Sequence, residues 1–111
     1  MIPKLMLPPP SFPRTGMLVA ALLALGAGGA GAADVTRGGQ LYATHCAVCH
    51  GANGTPVMPN TPNFRRMESL MRPDMQLLQS IKTGKGTMPG YFGILRDREI
   101  LDVVAYLRTL S

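Results

Sequence analysis

Every cysteine and histidine of this 111-residue chain lies in one short segment, residues 44–51, with the sequence THCAVCHG. Cys46 and Cys49 are three positions apart, which is about one turn of an α-helix, and His50 follows directly. A disulfide between two cysteines this close encloses too few residues to stabilise a fold appreciably. The segment therefore constrains the chain through the chemistry that a C-x-x-C-H motif can perform.

Residues 1–33 have the composition of a secretory signal peptide. A basic, proline-rich start without acidic residues is followed by the apolar run MLVAALLALGA and then by the small residues GGAGAA. The apolar run is shorter than the roughly 20 residues that a membrane-spanning helix needs. We therefore expect cleavage near Ala33 or Asp34, a folded domain over residues 34–111 without a membrane span, and a periplasmic location. An uncleaved membrane anchor is the alternative.

The charge of the chain argues against a nucleic-acid-binding protein. The net charge is +5 for the whole chain and +3 without Lys4 and Arg14. The remaining basic residues are scattered along the sequence and form no cluster, and a secreted destination argues against nucleic acid as a partner. We therefore expect protein partners and no nucleic acid.

A domain of 78 residues forms only a small hydrophobic core and usually needs a further stabilising element. The C-x-x-C-H motif supplies one, because it is the attachment motif for c-type haem. Two thiols one helical turn apart can each add to one vinyl group of a haem, and the adjacent histidine can then ligate the iron. The sequence predicts one haem c, attached covalently through Cys46 and Cys49, with His50 as an axial ligand.

Two other uses of the motif compete with haem attachment. A thioredoxin-like redox pair lies at the start of a helix in a βαβ unit, but the sequence has no strand pattern. A structural zinc site could use Cys46, Cys49, His50 and His45, but such sites usually take a second ligand pair from elsewhere. The chain has no further cysteine or histidine. We expect His45 to be a polar residue at the rim of the haem.

The rest of the domain predicts helices and no strands. The last helix is the clearest, because apolar residues recur at helical spacing from Ile100 to Leu110. An earlier helix should end at Gly84, in the positive-φ conformation that glycine adopts at helix ends. The predicted helical segments are residues 35–46, a short helix over 65–71, residues 72–84, and a last helix beginning at Asp97 or the residue before it. The predicted loops are residues 51–64 and 85–95.

A second iron ligand from the protein is expected to be a thioether, because the chain offers no free imidazole beyond His45. Met88 lies in the irregular segment GKGTMPGYF, whose glycines let the backbone lie close to a flat surface. Met88 is therefore the predicted ligand, and Met58 is the alternative. The remaining methionines of the domain, Met67, Met71 and Met75, have a helix-like spacing that is typical of core filling.

These features together resemble a small class I c-type cytochrome, over the whole of residues 34–111. The matching parts are a helix leading into C-x-x-C-H, the segment Pro62-Asn63-Phe64, a helix ending in GKGTMP, and the final pattern E-I-x-x-V-V-A-Y-L. The resemblance implies an all-α fold, with three or four helices wrapped around one covalently attached haem. It also implies that the first and last helices cross near Gly38 or Gly39.

The resemblance assigns a role to each candidate site residue. Cys46 and Cys49 would hold the haem, His50 would be the proximal ligand and Met88 the distal ligand. A proline carbonyl in the long loop would orient the imidazole through its other nitrogen. Our choice is Pro62, and Pro59 is the alternative. Arg96 departs from the family pattern, which often has Ser, Thr or Asp before the last helix, so Asp97 is expected to cap that helix instead.

Ligation by histidine and methionine leaves no open position on the iron and suits one-electron transfer. We therefore expect an electron carrier, not an enzyme, that either diffuses freely as a monomer or is the cytochrome subunit of a dehydrogenase or oxidase. Lys82 and Lys85 beside the Met88 loop could attract an acidic redox partner, although cations at a helix end have a simpler explanation. If Met88 does not bind, the alternative is a haem-based enzyme or gas sensor with an open distal site.

Overall fold

A computed structural model of the chain describes residues 3–12 and 31–111. Residues 3–12 are exposed and have no regular secondary structure. The apolar run of the predicted signal peptide, residues 17–27, lies outside the described residues. Residues Ala32–Ser111 form one compact unit, which contains every helix named below. Within the described ranges, no helix has the length and apolar character needed to cross a membrane.

Helix α1 (Val35–His45) leads directly into the one-turn helix α2 (Ala47–His50). The side chain of Asp34 caps the start of α1, where it accepts a hydrogen bond from the backbone N–H of Arg37 at 3.0 Å. Cys46 lies between the two helices, and Gly51 ends α2 with φ +81°. The C-x-x-C-H motif therefore occupies the junction of α1 and α2, and the first helix ends one residue earlier than predicted.

Three further elements complete the domain, and the predicted all-α fold is confirmed. A 3₁₀ helix covers Met67–Leu70, helix α3 covers Asp74–Thr83 and helix α4 covers Asp97–Leu107. Helix α3 ends at Gly84 with φ +76°, as the sequence predicted. Among the described residues there is no β-strand, and the β-type pairing consists of one isolated bridge between Lys85 and Met88.

Helices α1 and α4 cross at Gly38, as the resemblance implied. A Cβ atom at this position would lie 2.5 Å from the carbonyl carbon of Asp102 and 3.0 Å from the backbone nitrogen of Val103. No side chain fits there, so the two backbones can meet only at a glycine. Gly39 has a softer neighbour, because its Cβ would lie 3.1 Å from a ring carbon of Tyr106.

The hydrophobic core lies between α1, α3 and α4 and includes two tyrosines. Its buried members are Tyr42, Leu70, Leu77, Leu78, Tyr91, Leu95, Ile100, Val103, Val104 and Leu107. Three further methionines of the domain do not belong to this core. Met67, Met71 and Met75 are 67%, 72% and 59% exposed. The interpretation of these three residues as core filling was therefore wrong.

The start of α4 is stabilised by Glu99, not by Asp97. The Glu99 carboxylate accepts a hydrogen bond from the backbone N–H of Arg96 at 2.9 Å and another from the Arg37 side chain at 2.8 Å. Asp97 is the first residue of α4 and forms an ion pair with Lys82 at 2.8 Å. The prediction that Asp97 caps the helix was wrong, because the carboxylate one turn into the helix reaches back to the free N–H group.

Arg108, just after α4, ties that helix to the start of α3. Its guanidinium donates to the Asp74 carboxylate at 2.6 Å and 2.9 Å. It also donates to the backbone carbonyls of Leu70 at 3.0 Å and Arg72 at 2.8 Å. The planar, multiply donating guanidinium is suited to this kind of bridge. The bridge fixes the bend between the 3₁₀ helix and α3.

Candidate functional site

One cavity of about 510 Å³ lies beside α2 and gathers the motif with residues that are distant in the sequence. All five predicted site residues line it: Cys46, Cys49, His50, Pro62 and Met88. The other lining residues are His45, Val48, Met58, Asn60, Thr61, Arg72, Ser80, Lys85, Gly86, Thr87, Pro89 and Tyr91. A second, more open depression of about 560 Å³ lies between Lys82 and the start of α4, and it contains none of the motif residues.

The two cysteines are placed on one helical turn as free thiols. Backbone hydrogen bonds from Cys49 and His50 to the carbonyl of Cys46, at 3.2 Å and 3.0 Å, form this turn. Burial raises the pKa of Cys46 to about 11, so its thiol is protonated at neutral pH. The described residues contain no group of three His, Cys, Asp or Glu side chains that could hold a metal ion.

His50 is held rigidly and is suited to ligation. It is 7% exposed, and its ring stacks on Phe64 with centroids 4.5 Å apart and an interplanar angle of 19°. Burial lowers its pKa, and the backbone carbonyl of Pro62 acts in the opposite direction as a hydrogen-bond acceptor. The imidazole is therefore kept in its neutral form, which is the form that binds metals.

The Nδ1 atom of His50 is buried and has no hydrogen-bond partner of regular geometry. Pro62 lines the same cavity, and its backbone carbonyl, which raises the His50 pKa, is a candidate acceptor for this atom. A buried polar atom without a partner is rare and requires a reason. A small adjustment of the ring when its other nitrogen binds a metal would supply the missing bond.

The long proline-rich loop after α2 is attached to the motif by backbone hydrogen bonds. The carbonyl of Cys49 accepts from Val57 at 3.1 Å and from Met58 at 3.4 Å. Further along, the N–H of Phe64 donates to the carbonyl of Gly54 at 2.9 Å. These bonds bring the end of the loop, with Pro62 and Phe64, against the His50 ring.

Met88 reaches the same cavity from the loop between α3 and α4. Its backbone exchanges two hydrogen bonds with Lys85, at 3.0 Å and 3.1 Å, which closes a tight turn. Gly84 and Gly86 in this segment have positive φ angles of 76° and 59°. Met88 is half-buried, while the alternative ligand Met58 also lines the cavity but is 41% exposed. The geometry thus favours Met88.

The charged residues that line the cavity are both basic, Arg72 and Lys85. Lys82 points its charge elsewhere, because it pairs with Asp97 at 2.8 Å. Of the two lysines proposed to attract an acidic partner, the exposed Lys85 is therefore the better candidate.

Sequence reasoning missed the contacts that three aromatic residues make around the motif. Phe64 was noted as part of a motif, but its stacking on His50 was not predicted. The hydroxyl groups of Tyr42 and Tyr91 donate to the carbonyls of Gly51 at 2.6 Å and His45 at 2.7 Å, one on each side of the C-x-x-C-H motif. A tyrosine where phenylalanine would serve equally well for packing was the available signal, since a buried hydroxyl requires a partner.

Comparisons with known proteins identify the family of the chain. The family model described as "Cytochrome C oxidase, cbb3-type, subunit III" matches residues 33–107. Cytochrome c6 of Thermosynechococcus vestitus is 35% identical over 78 residues, which cover 68% of this chain and 70% of that protein. Cytochrome c4 of Pseudomonas aeruginosa is 37% identical over 94 residues, which cover 81% of this chain and 46% of that protein.

A solved structure shows the same fold. Cytochrome c6 from the diatom Phaeodactylum tricornutum superposes with a TM-score of 0.60 at 30% sequence identity, covering 68% of this chain and 92% of that chain. Together with the motif and the cavity, these likenesses establish haem c as the cofactor and electron transport as the general role. The chain belongs to the c-type cytochromes, as a small class I member with its haem attached at Cys46 and Cys49.

Proposed function

We propose that residues 34–111 form a periplasmic one-electron carrier in which His50 and Met88 ligate the haem iron. The observation that carries this proposal is the single cavity that brings Met88 together with the C-x-x-C-H residues, although 38 positions separate Met88 from His50. When bound, the haem supplies an iron that alternates between the ferrous and ferric states. The task of the protein is to hold that iron in a fixed environment and to present it to partners.

The proximal side is organised by three contacts to one ring. His50 would face the iron with one nitrogen, and the carbonyl of Pro62 would accept a hydrogen bond from the other. The stacked Phe64 prevents the ring from rotating. A fixed ring and a neutral imidazole keep the ligand in place in both oxidation states. Pro62 is supported over Pro59 by its effect on the His50 pKa.

The distal side would be closed by the thioether of Met88. His50 and Met88 together would hold the iron closed to a substrate or gas, and the bound group would then supply one-electron transfer to a partner at the exposed edge of the cavity. Val48, between the two cysteines, is 79% exposed and marks the side on which the cavity reaches the surface. A redox partner would dock at this edge. We therefore propose a carrier and not an enzyme.

The family match supports one choice of partner. The matching model describes an oxidase subunit, which favours a role as the cytochrome subunit of an oxidase. A freely diffusing carrier and the subunit of a dehydrogenase are the other two forms of the proposal. Copurification of the holoprotein with membrane complexes would separate the subunit role from the free carrier.

The proposed location depends on the leader sequence. Cleavage near Ala33 or Asp34 would leave every helix of the compact unit intact, because α1 begins at Val35 and its cap is Asp34. Mass spectrometry of the protein isolated from the periplasm gives the new N-terminus directly. A protein that retains residues 1–33 and stays with the membrane would contradict cleavage.

The ligation is tested by the visible spectrum of the holoprotein, oxidised and reduced, with and without carbon monoxide. We expect c-type bands, no change with carbon monoxide, and a ferric sulfur-to-iron charge-transfer band. The substitution Met88→Ala should remove that band and let the reduced iron bind carbon monoxide. Met58→Ala is the matched control and should leave the spectrum unchanged. A reversed result would make Met58 the ligand, and carbon monoxide binding by the unmodified protein would indicate an open-site enzyme or sensor.

A further inference from the structure

Tyr91 links the Met88 loop, residues 84–92, to the haem-attachment segment, residues 44–51. Its hydroxyl donates a hydrogen bond to the backbone carbonyl of His45 at 2.7 Å, and the residue is only 9% exposed. His45 is the last residue of α1 and directly precedes Cys46. Tyr91 follows Met88 by three positions. One short segment therefore carries both the proposed distal ligand and a bond to the residue beside the first attachment cysteine.

The carbonyl of His45 needs this donor. It lies at the end of α1, where the regular helical donors run out. The N–H groups of Cys49 and His50, which follow it in α2, both donate to the carbonyl of Cys46. The bond from Tyr91 is part-buried. Removing the hydroxyl would thus leave a part-buried carbonyl without a hydrogen-bond partner. An unsatisfied buried acceptor destabilises its environment, because it has lost both water and its protein donor.

The Met88 loop is attached to the end of α3 by backbone contacts. The N–H of Tyr91 donates to the carbonyl of Ile81 in α3 at 3.1 Å, and Lys85 and Met88 close the turn between them. A Cβ atom at Gly84 would lie 2.6 Å from the carbonyl oxygen of Met88, so the loop packs closely on the end of α3. On the opposite wall of the cavity, the Tyr91 hydroxyl donates to the His45 carbonyl, and the Tyr91 ring lies edge-on to the His45 ring with centroids 5.8 Å apart.

We propose that the Tyr91 hydroxyl is a latch, a positioning group that holds the Met88 loop closed and so determines how readily the Met88 thioether leaves the iron. The proposal rests on the His50 and Met88 ligation proposed above. Opening the loop would break the bond to His45 as Met88 withdraws, so the two events are coupled. Of these two residues, only Met88 would contact the iron. Tyr91 acts on the ligand through the loop.

Tyr42 provides a matched control in the same molecule. It is also buried, and its hydroxyl also donates to a backbone carbonyl beside the motif, that of Gly51 at 2.6 Å. It lies on α1, and its hydroxyl bonds to Gly51 and does not join the Met88 loop to the motif. Tyr42→Phe and Tyr91→Phe each remove one buried hydrogen bond and keep the ring. They differ in whether the bond ties down the distal loop.

The experiment measures how well imidazole displaces Met88 from the ferric holoprotein. Imidazole is added to the unmodified protein and to both variants, and the loss of the sulfur-to-iron charge-transfer band is followed. We expect Tyr91→Phe to bind imidazole about three- to tenfold more tightly, the effect of one lost hydrogen bond on loop opening. Tyr42→Phe should stay within about twofold of the unmodified protein. Denaturant unfolding of both variants shows whether their global stability falls equally.

Each outcome decides the question. The latch would be established if both variants lose the same stability and only Tyr91→Phe binds imidazole more tightly. Unchanged imidazole binding in Tyr91→Phe, or the same change in both variants, would overturn the latch and leave the His50 and Met88 ligation standing. An unmodified protein that lacks the charge-transfer band and binds carbon monoxide would overturn both the ligation and the latch.

Discussion

Replacing Gly38 with alanine is the sharpest test of the crossing between α1 and α4. The new methyl group would lie 2.5 Å from the carbonyl carbon of Asp102 and 3.0 Å from the backbone nitrogen of Val103. Both are backbone atoms of α4, so no side-chain rotation can relieve the contact. The two helices would therefore have to move apart at their crossing.

The magnitude follows from two opposing terms. Alanine is favoured over glycine within a helix by about 1 kcal/mol. Overpacking a tight core costs about 1–3 kcal/mol and sometimes more, and a contact with unyielding backbone belongs at the upper end. We therefore expect Gly38→Ala to lower the free energy of unfolding by about 2 kcal/mol. In a domain of this size, that loss corresponds to a fall in Tm of roughly 10 °C.

Gly39→Ala is the matched control, because it gains the same helix propensity one position away. Its methyl group would meet a ring carbon of Tyr106 at 3.1 Å, and this half-buried side chain can shift. The stability of Gly39→Ala should lie within about 1 kcal/mol of the unmodified holoprotein. The assay is guanidinium unfolding followed by far-UV circular dichroism. An unchanged Gly38→Ala variant, or an equal loss in Gly39→Ala, would refute the explanation of the crossing.

Two further predictions concern charged groups on the surface of the domain. Arg108→Lys keeps the charge but cannot reach the Leu70 carbonyl and the Asp74 carboxylate together, so we expect a loss of about 1–2 kcal/mol in unfolding free energy; an unchanged denaturation midpoint would contradict this. The pKa of Glu99 is lowered, first by the backbone N–H before α4 and then by Arg37. A lowered pKa stabilises the fold above the ordinary value of 4.5, and this stabilisation is lost as the pH falls through the folded-state value. The difference in Tm between the unmodified protein and Glu99→Gln should thus shrink between pH 6 and pH 3. A difference that stays constant over this range would show that the negative charge of Glu99 contributes nothing to stability.

The parts of the fold that depend on local chemistry could be predicted from the sequence. Helix α4 has one continuous apolar face, and Gly84 ends α3 where its positive φ was expected. The C-x-x-C-H spacing predicts its own helical turn, because the two thiols must lie on one side. The placement of Met88 in the cavity was also predicted, since a loop rich in glycine and proline beside a helix end has few other uses.

The failed predictions concern contacts between distant residues. A spacing of four predicts that Met67, Met71 and Met75 share a helix face, but the chain bends between the 3₁₀ helix and α3, and all three side chains are exposed. The sequence suggested that Lys82 could attract an acidic redox partner, but in the fold Lys82 forms an ion pair with Asp97 of α4. Such pairings depend on where separate helices end up, and no local pattern encodes that.

The carbonyl acceptors of the tyrosine hydroxyls could not be predicted for a related reason. Sequence alone indicates that Tyr42 and Tyr91 are suitable for burial, and packing would be served as well by phenylalanine. The acceptors are backbone groups of Gly51 and His45, which are present at every residue and leave no mark in the sequence. Only the assembled fold shows which carbonyl is left without a helical donor.

The burial of Cys46 has a consequence for the order of haem attachment and folding. In the folded domain, burial raises the pKa of Cys46 to about 11 and so suppresses the reactive thiolate. An unfolded chain leaves both thiols of the motif in water, where the pKa of a cysteine is lower. We therefore expect the unfolded chain to accept haem more readily than the folded domain, so that attachment comes before the final packing of the helices.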